Sequence, residues 1–334
     1  MFGGIGRNRI AISLAVLLAV AVGKPAAAED LKVGFIKIAS SGPTFIGLDK
    51  GYFAAEGINL QPVYFETGEP IAVAVTSGDI DIGIAGLTAG LYNLGRSVHL
   101  IGGYVREVPN FQGWVFAISN QAAENGLKSY ADLSGRSVGI SQMGGVGHYV
   151  LALITAKYHV DLAKVRIVPL QSNSNMLSAL AGNQVDMMIS PGTPVMPLVQ
   201  KGSAKVLGWA GDELGIQIGG IFATAKTAND KSDTIKRFLK AFRRGAQEYH
   251  DAFTGPDEKP RDSAEAGDIV ALIAKDVGQS PDLIRRTIPY IDGQARLDVG
   301  DVKRQIDWYK SQRMVKADVN ADDLIDKRYV VPLQ

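Results

Sequence analysis

Apolar runs of four to eight residues alternate with segments of helical periodicity over most of the chain. Residues 31–38 read as a strand. Ser40-Ser41-Gly42-Pro43 follows and has the grammar of a helix start: proline in the first turn gives up no needed N–H, and Ser41 or Gly42 suits the cap. Phe45, Leu48, Tyr52 and Phe53 then recur at helical spacing, and Gly57 is expected to close that helix. The pattern next predicts a strand at 60–65, a helix at 69–77 closed by Gly78, a strand at 80–85 apolar enough for burial on both faces, and strands at 98–104 and 114–119. From there it restarts. Strands are predicted at 136–141, 165–168, 185–190 and 205–209, with helices at 147–158, 173–181 and 194–201. A strand at 219–224 reads as the chain crossing back to its first elements, and the remainder is helical, at about 229–252, 263–277, 281–287 and 301–312. This alternation is that of βαβ units and a mainly parallel sheet.

The restart is a repeat. Val33-Gly34-Phe35 leading to Gly42 corresponds to Val138-Gly139-Ile140 leading to Gly147, Val63 to Val168, Ile80-Asp81 to Val185-Asp186, Ile84 to Ile189 and Thr88 to Thr193, all at an offset of 105. A constant offset predicts two similar α/β lobes with a cleft between them. Chain crossings near 112–115 and 216–222 suit a two-strand hinge, which divides the chain into one lobe of 29–112 plus 217–334 and a second of 113–216.

Residues 1–28 are expected to leave. Arg7 and Arg9 precede an apolar run at 10–22, and Lys24-Pro25-Ala26-Ala27-Ala28 ends in small residues. That is a secretory signal peptide, with cleavage expected after about Ala28 and a periplasmic destination. Its apolar run is short for a bilayer, and no later stretch approaches 18 unbroken apolar residues. The leader removes three of the 35 basic residues and none of the 34 acidic ones, so the exported chain carries a net charge of −2 and offers no electrostatic case for nucleic acid or an anionic membrane. There is no cysteine, which excludes disulfides, thiolate nucleophiles and cysteine-ligated metals. The four histidines, His99, His148, His159 and His250, include no pair at metal-ligand spacing. No Gly-x-Ser-x-Gly elbow or phosphate-binding Gly-x-x-x-x-Gly-Lys loop occurs, and Gly145-Val146-Gly147 departs from a dinucleotide fingerprint at Val150. No catalytic residue, metal or cofactor is assigned.

Four ordered elements carry a family resemblance. Asp49-Lys50-Gly51-Tyr52-Phe53-Ala54-Ala55-Glu56-Gly57-Ile58 resembles a "KGYF…EGL" signature. Ser77-Gly78-Asp79-Ile80-Asp81-Ile82-Gly83, Asp132-Leu133-Ser134-Gly135-Arg136-Ser137-Val138-Gly139-Ile140 and Ala179-Leu180-Ala181-Gly182-Asn183-Gln184-Val185-Asp186 are similar to its companions. Together they resemble the binding proteins for nitrate, sulfonates, taurine and thiamine precursors. The resemblance implies a type II periplasmic binding fold and a monomer that delivers a small ligand to a membrane permease with its ATPase. It also implies that Tyr52, Phe53, Asp81 and Asp186 are structural. Relatives of this fold include cysteine-dependent enzymes, so an enzyme here would have to work without cysteine; a ligand-sensing domain is the other alternative.

Ligands of open α/β sheets sit beyond the carboxyl ends of the strands. That selects loops at 40–45, 66–68, 86–88, 142–148 and 190–193, with candidate contacts Ser40, Ser41, Thr44, Phe45, Thr67, Gly86, Thr88, Gln142, Gly144, Gly145, Val146, His148, Ser190 and Thr193. Gln112, Trp114, Asn173 and Trp209 join them from predicted strand ends and the hinge. Two of the loops open helices, whose free N–H groups hold anions, although glycines also suit plain turns. No Lys or Arg lies in the five loops, which suits a ligand held by dipoles: a sulfonate, a carboxylate or a neutral, pyrimidine-like heterocycle.

Overall fold

The computed structural model describes residues 1–4 and 28–333; the leader expected at 1–28 therefore lies almost wholly outside the described residues. In chain order the strands are β1 (Glu29–Ile36), β2 (Ile58–Phe65), β3 (Ile82–Gly86), β4 (Val98–Gly103), β5 (Val105–Arg106), β6 (Trp114–Ser119), β7 (Ser137–Ile140), β8 (Arg166–Pro169), β9 (Met187–Pro191), β10 (Ala204–Trp209), β11 (Gly219–Thr224) and β12 (Tyr290–Ile291). They form one sheet in the order β2-β1-β3-β11-β4, a second in the order β8-β7-β9-β6-β10, and a ribbon of β5 and β12. In the first sheet β1 runs parallel to β2 and β3, while β11 is antiparallel to both its neighbours. The second sheet repeats this, with β7 in the place of β1 and β6 in the place of β11.

The sequence repeat governs the register. Val33 faces Pro62 and Ile82, and Val138, 105 residues on, faces Ile167 and Met187. Asp81 and Asp186 do the same work in each sheet. Asp81 accepts the Lys32 N–H at 2.9 Å and donates its own N–H to the Lys32 carbonyl at 2.9 Å. Asp186 does so with Ser137 at 2.7 Å and 3.0 Å, and also accepts the Ser137 hydroxyl at 2.6 Å. Each aspartate thus extends the strand ladder beyond its regular end with a charge-assisted bond.

The helices that place the loops are α1 (Gly42–Asp49), α2 (Glu69–Ser77), α3 (Val146–Lys157), α4 (Asn173–Ala181), α5 (Gly192–Gln200), α6 (Ser232–Phe253) and α7 (Val299–Ser311). The helix expected to run from Pro43 to Gly57 is two helices. Gly51 adopts φ 70°, a left-handed conformation that ends α1, and Tyr52–Ala55 forms a separate turn. That turn is structural: Phe53 stacks on Phe238 of α6 at 5.5 Å, and the Tyr52 hydroxyl donates to Glu248. The helix expected at 229–252 is likewise divided at Lys231, between Ala225–Asp230 and α6. One apolar cluster runs through both sheets, and a smaller one, around Met176, Leu180, Met188 and Val195, lies against the second.

The chain passes between the sheets at 107–113 and 214–218, and the two passages are bonded to one another. Glu107 N–H donates to the Ile216 carbonyl at 2.9 Å, and Ile218 N–H to the Val105 carbonyl at 3.0 Å. Replacing Asp186 by alanine strips an acceptor from the Ser137 N–H and should lower stability by about 1–2 kcal/mol. Asp81→Ala should do the same in the first sheet. Urea unfolding checks this, and no loss in either variant would remove their framework role.

Candidate functional site: a cleft between opposed strand ends

The carboxyl ends of the parallel strands of both sheets point into one gap, which holds a cavity with about 470 Å³ of empty space. That figure includes open solvent; the room it leaves for a solvent-sized sphere is about 60 Å³, below the roughly 300–1,000 Å³ of small-molecule pockets, and the adjoining groove offers about 820 Å³. Its walls are supplied at repeat-related positions: Ile36 and Ser141, Gly68 and Asn173, Gly86 and Pro191 each differ by 105. Thr67, Gly86 and Thr88 line it from the first sheet, and Trp114, Val146, Asn173 and Ser190 from the second. Met176 and Ile189 add apolar wall. Gln142 lines an adjoining groove that shares Thr67, Glu69 and Thr88 with the cavity.

The other candidates stand outside the cavity lining, most of them engaged elsewhere; the buried Thr44 hydroxyl has no partner among the described residues. The buried Tyr104 phenol lies 2.7 Å from Ser40 Oγ and 3.2 Å from Ser41 Oγ, and Ser41 donates to the Ile36 carbonyl at 2.6 Å. Burial pushes that phenol up to about 12, so it remains a hydroxyl that holds the two serines. Thr44 is fully buried in α1, and Phe45 packs edge-on against Phe35. Thr193 accepts the Ala39 N–H at 3.1 Å across the gap. Gly144, at φ 78°, donates its N–H to His148 Nδ1 at 3.2 Å, and its carbonyl accepts the Ala89 N–H at 2.9 Å. His148 is buried, and burial pushes its pKa down, which favours the neutral ring that accepts this bond. It shapes the loop. Gln112 lines a separate surface hollow with Phe253 and Arg261. Trp209 packs over Gly192.

Two carboxylates line the cavity that the loop reasoning did not single out. Glu66 and Glu69 flank Thr67, and no Lys, Arg or His lines the cavity among the described residues. Glu69 Oε1 accepts the Ser141 hydroxyl from the opposite sheet at 2.7 Å. It also stands against the cap of α3: a Cβ built on Gly145 would lie 2.7 Å from it. The helix start read from sequence as an anion cradle therefore already faces a carboxylate of the protein. A helix N-terminus favours an anion by about 0.3–1 kcal/mol. Two like charges about 4 Å apart at a partly solvated site repel by roughly 4 kcal/mol. The Glu69 carboxylate therefore opposes an anion brought up to the glycine loop. The signal for Glu69 was available as the first residue of α2, but its reach across the gap is a tertiary fact.

The passages between the sheets hold a buried acid. Glu107 accepts the Trp114 N–H at 3.0 Å, and Gly113 packs against its carboxyl group. Burial pushes it up to about 8, against opposing bonds from the Trp114 and Gly211 backbone.

The family follows from residues 39–258, which match the model described as NMT1/THI5 like. The chain belongs to that family. No curated protein matches the sequence. Among solved structures, the alkanesulfonate-binding protein SsuA from Xanthomonas axonopodis pv. citri, bound to MOPS, is similar at TM-score 0.72 and 18% identity over 90% of this chain and 99% of its own. The ligand-binding component of an ABC-type import system from Staphylococcus aureus, with zinc bound, is similar at TM-score 0.73 and 13% identity over 90% and 97%. A Candida albicans protein described as having the generic periplasmic binding protein fold is similar at TM-score 0.70 and 14% identity over 91% and 98%. This NMT1/THI5-like chain has that fold.

A raised acid binds its proton more tightly folded than unfolded. The contribution of Glu107 to stability is therefore full below the ordinary value near 4.5 and is lost as pH rises toward about 8. Glu107→Gln keeps an oxygen acceptor and removes the titration. Relative to that variant, the parent should lose up to about 1.4 kcal/mol per pH unit across this window, measured by urea unfolding at pH 5 and 8. Parallel pH profiles would take Glu107 out of the account.

Proposed function

We propose that this chain is the exported solute-binding component of a membrane importer. It captures a small organic solute between two lobes, 29–112 with 217–334 and 113–216, and presents it to a permease coupled to an ATPase. The observation that carries the reading is the cavity walled from both sheets at positions related by the internal repeat. A solute there touches both lobes at once, so it binds the closed arrangement more tightly than an open one, which is what drives closure. The paired passages at 107–113 and 214–218 are the hinge in this reading.

Other observations agree. Proteins described as sulfonate-binding or import components share the fold over most of this chain. Among the described residues no helix is long and apolar enough to cross a membrane, and the basic and apolar pattern at the N-terminus suits export to the periplasm. The protein acts as a monomer, without a cofactor and without chemistry on its solute. The solute classes expected from sequence are sulfonates, carboxylates and pyrimidine-like heterocycles.

Calorimetric titration and thermal-shift measurements of the exported protein test this. A true ligand at 100 times its Kd should add about 2.7 kcal/mol of stability and should still do so after EDTA treatment. Gly86→Leu should abolish the shift, because a Cβ at Gly86 already lies 2.6 Å from Val146 Cγ2 across the cleft. Ligand binding that survives Gly86→Leu undiminished would place the site elsewhere.

A further inference from the structure

The charge around the cavity is unbalanced: two carboxylates line it and no Lys, Arg or His does among the described residues. Asn173 gives one of its two Nδ2 donors to the Glu66 carbonyl at 2.6 Å, and its side-chain oxygen has no donor among the described residues. Ser141 and Ser190 spend their hydroxyl protons on Glu69 and on the Pro191 carbonyl. Thr88 Oγ1 accepts the Leu91 N–H at 3.1 Å. Thr67 is 7% exposed, lines both the cavity and the adjoining groove, and makes no side-chain hydrogen bond to any described residue. The side-chain donors left over are the hydroxyls of Thr67 and Thr88, the Trp114 indole N–H and the second Asn173 amide N–H, all of them neutral. The acceptors left over are the carboxylates of Glu66 and Glu69 and the amide oxygen of Asn173. Among the described residues no basic residue lines the cavity or the groove, and the groove adds Asp79. The two carboxylates face no cation across the cavity, so an occupant that brings positively charged donors meets attraction with no competing base.

Resting on the solute-binding reading above, we propose that the occupant is a small organic cation: a protonated amine or amidinium on an apolar body. The cationic end sits between Glu66 and Glu69, where charge-assisted bonds are strongest. Thr67, whose oxygen can accept as well as donate, and the Asn173 oxygen take further N–H groups. The apolar body lies against Trp114, Val146, Met176 and Ile189, and the Trp114 face also attracts cations. Glu69 is a specificity-determining residue here, because its carboxylate guards the α3 start against anions as well as receiving the cation.

The test is calorimetric titration of the exported protein with three matched panels: alkyl- and arylalkyl-ammonium or amidinium ions, the corresponding alcohols, and the corresponding sulfonates and carboxylates with nitrate. Ammonium or amidinium compounds should bind at least about tenfold more tightly than their neutral and anionic counterparts, as loss of a charged hydrogen bond implies. Their affinity should fall at least about tenfold in Glu69→Gln and should weaken as salt rises. Glu66→Gln, at an exposed position, gives the same reading should Glu69→Gln fail to fold. Tighter binding of sulfonates, carboxylates or nitrate, abolished by Gly86→Leu, would overturn the cation proposal and leave the solute-binding reading standing. Cation affinity unchanged in both glutamine variants would also overturn it. Binding by no member of any panel would overturn both.

Discussion

Each sheet takes its one antiparallel strand from chain that has just left the other. β6 enters the second sheet between β9 and β10 directly after the passage from β5, and β11 enters the first between β3 and β4 directly after the return passage. These inserted strands are central, so neither sheet is complete without the exchange. Because β3 and β9 run toward the gap and β11 and β6 run away from it, every parallel strand ends where the passages begin. The cavity, the five loops and the buried Glu107 all follow from that placement.

Much of this architecture could be read from the chain. The 105-residue offset reappears as equal registers at Val33 and Val138, and as the same backbone exchange at Asp81 and Asp186. Helices at 69–77 and 173–181 and strands at 114–119 and 219–224 coincide with the apolar pattern because capping residues or glycines punctuate them sharply. The break at Gly51 was harder to read, because apolar spacing continues straight through a residue whose φ reverses. β5 and β12 are two residues long and carry no periodicity at all.

The candidate site was legible as a place but less so as a set of side chains. The strand-end rule found the gap, and Thr67, Gly86, Thr88, Trp114, Val146, Asn173 and Ser190 line its cavity. Ser40, Ser41 and Thr193 looked equally available, yet Tyr104, Ile36 and Ala39 engage them. Local sequence cannot show which polar groups a distant partner will claim. The same blindness hid the acidic character of the cavity, since Glu66 and Glu69 acquire meaning only once no base is found opposite them among the described residues.

The position of Glu69 has a further consequence. It begins α2 in the first sheet's half and lies against the cap of α3 in the other. Two helix starts that face each other across a gap present partial positive charge to one another, and one carboxylate between them turns that repulsion into mutual attraction. Such an attraction between partial charges at a partly solvated seam is screened by mobile ions within about 10 Å at 0.1 M ionic strength. The ionic strength of the surrounding fluid is therefore itself a lever on how firmly the two halves meet.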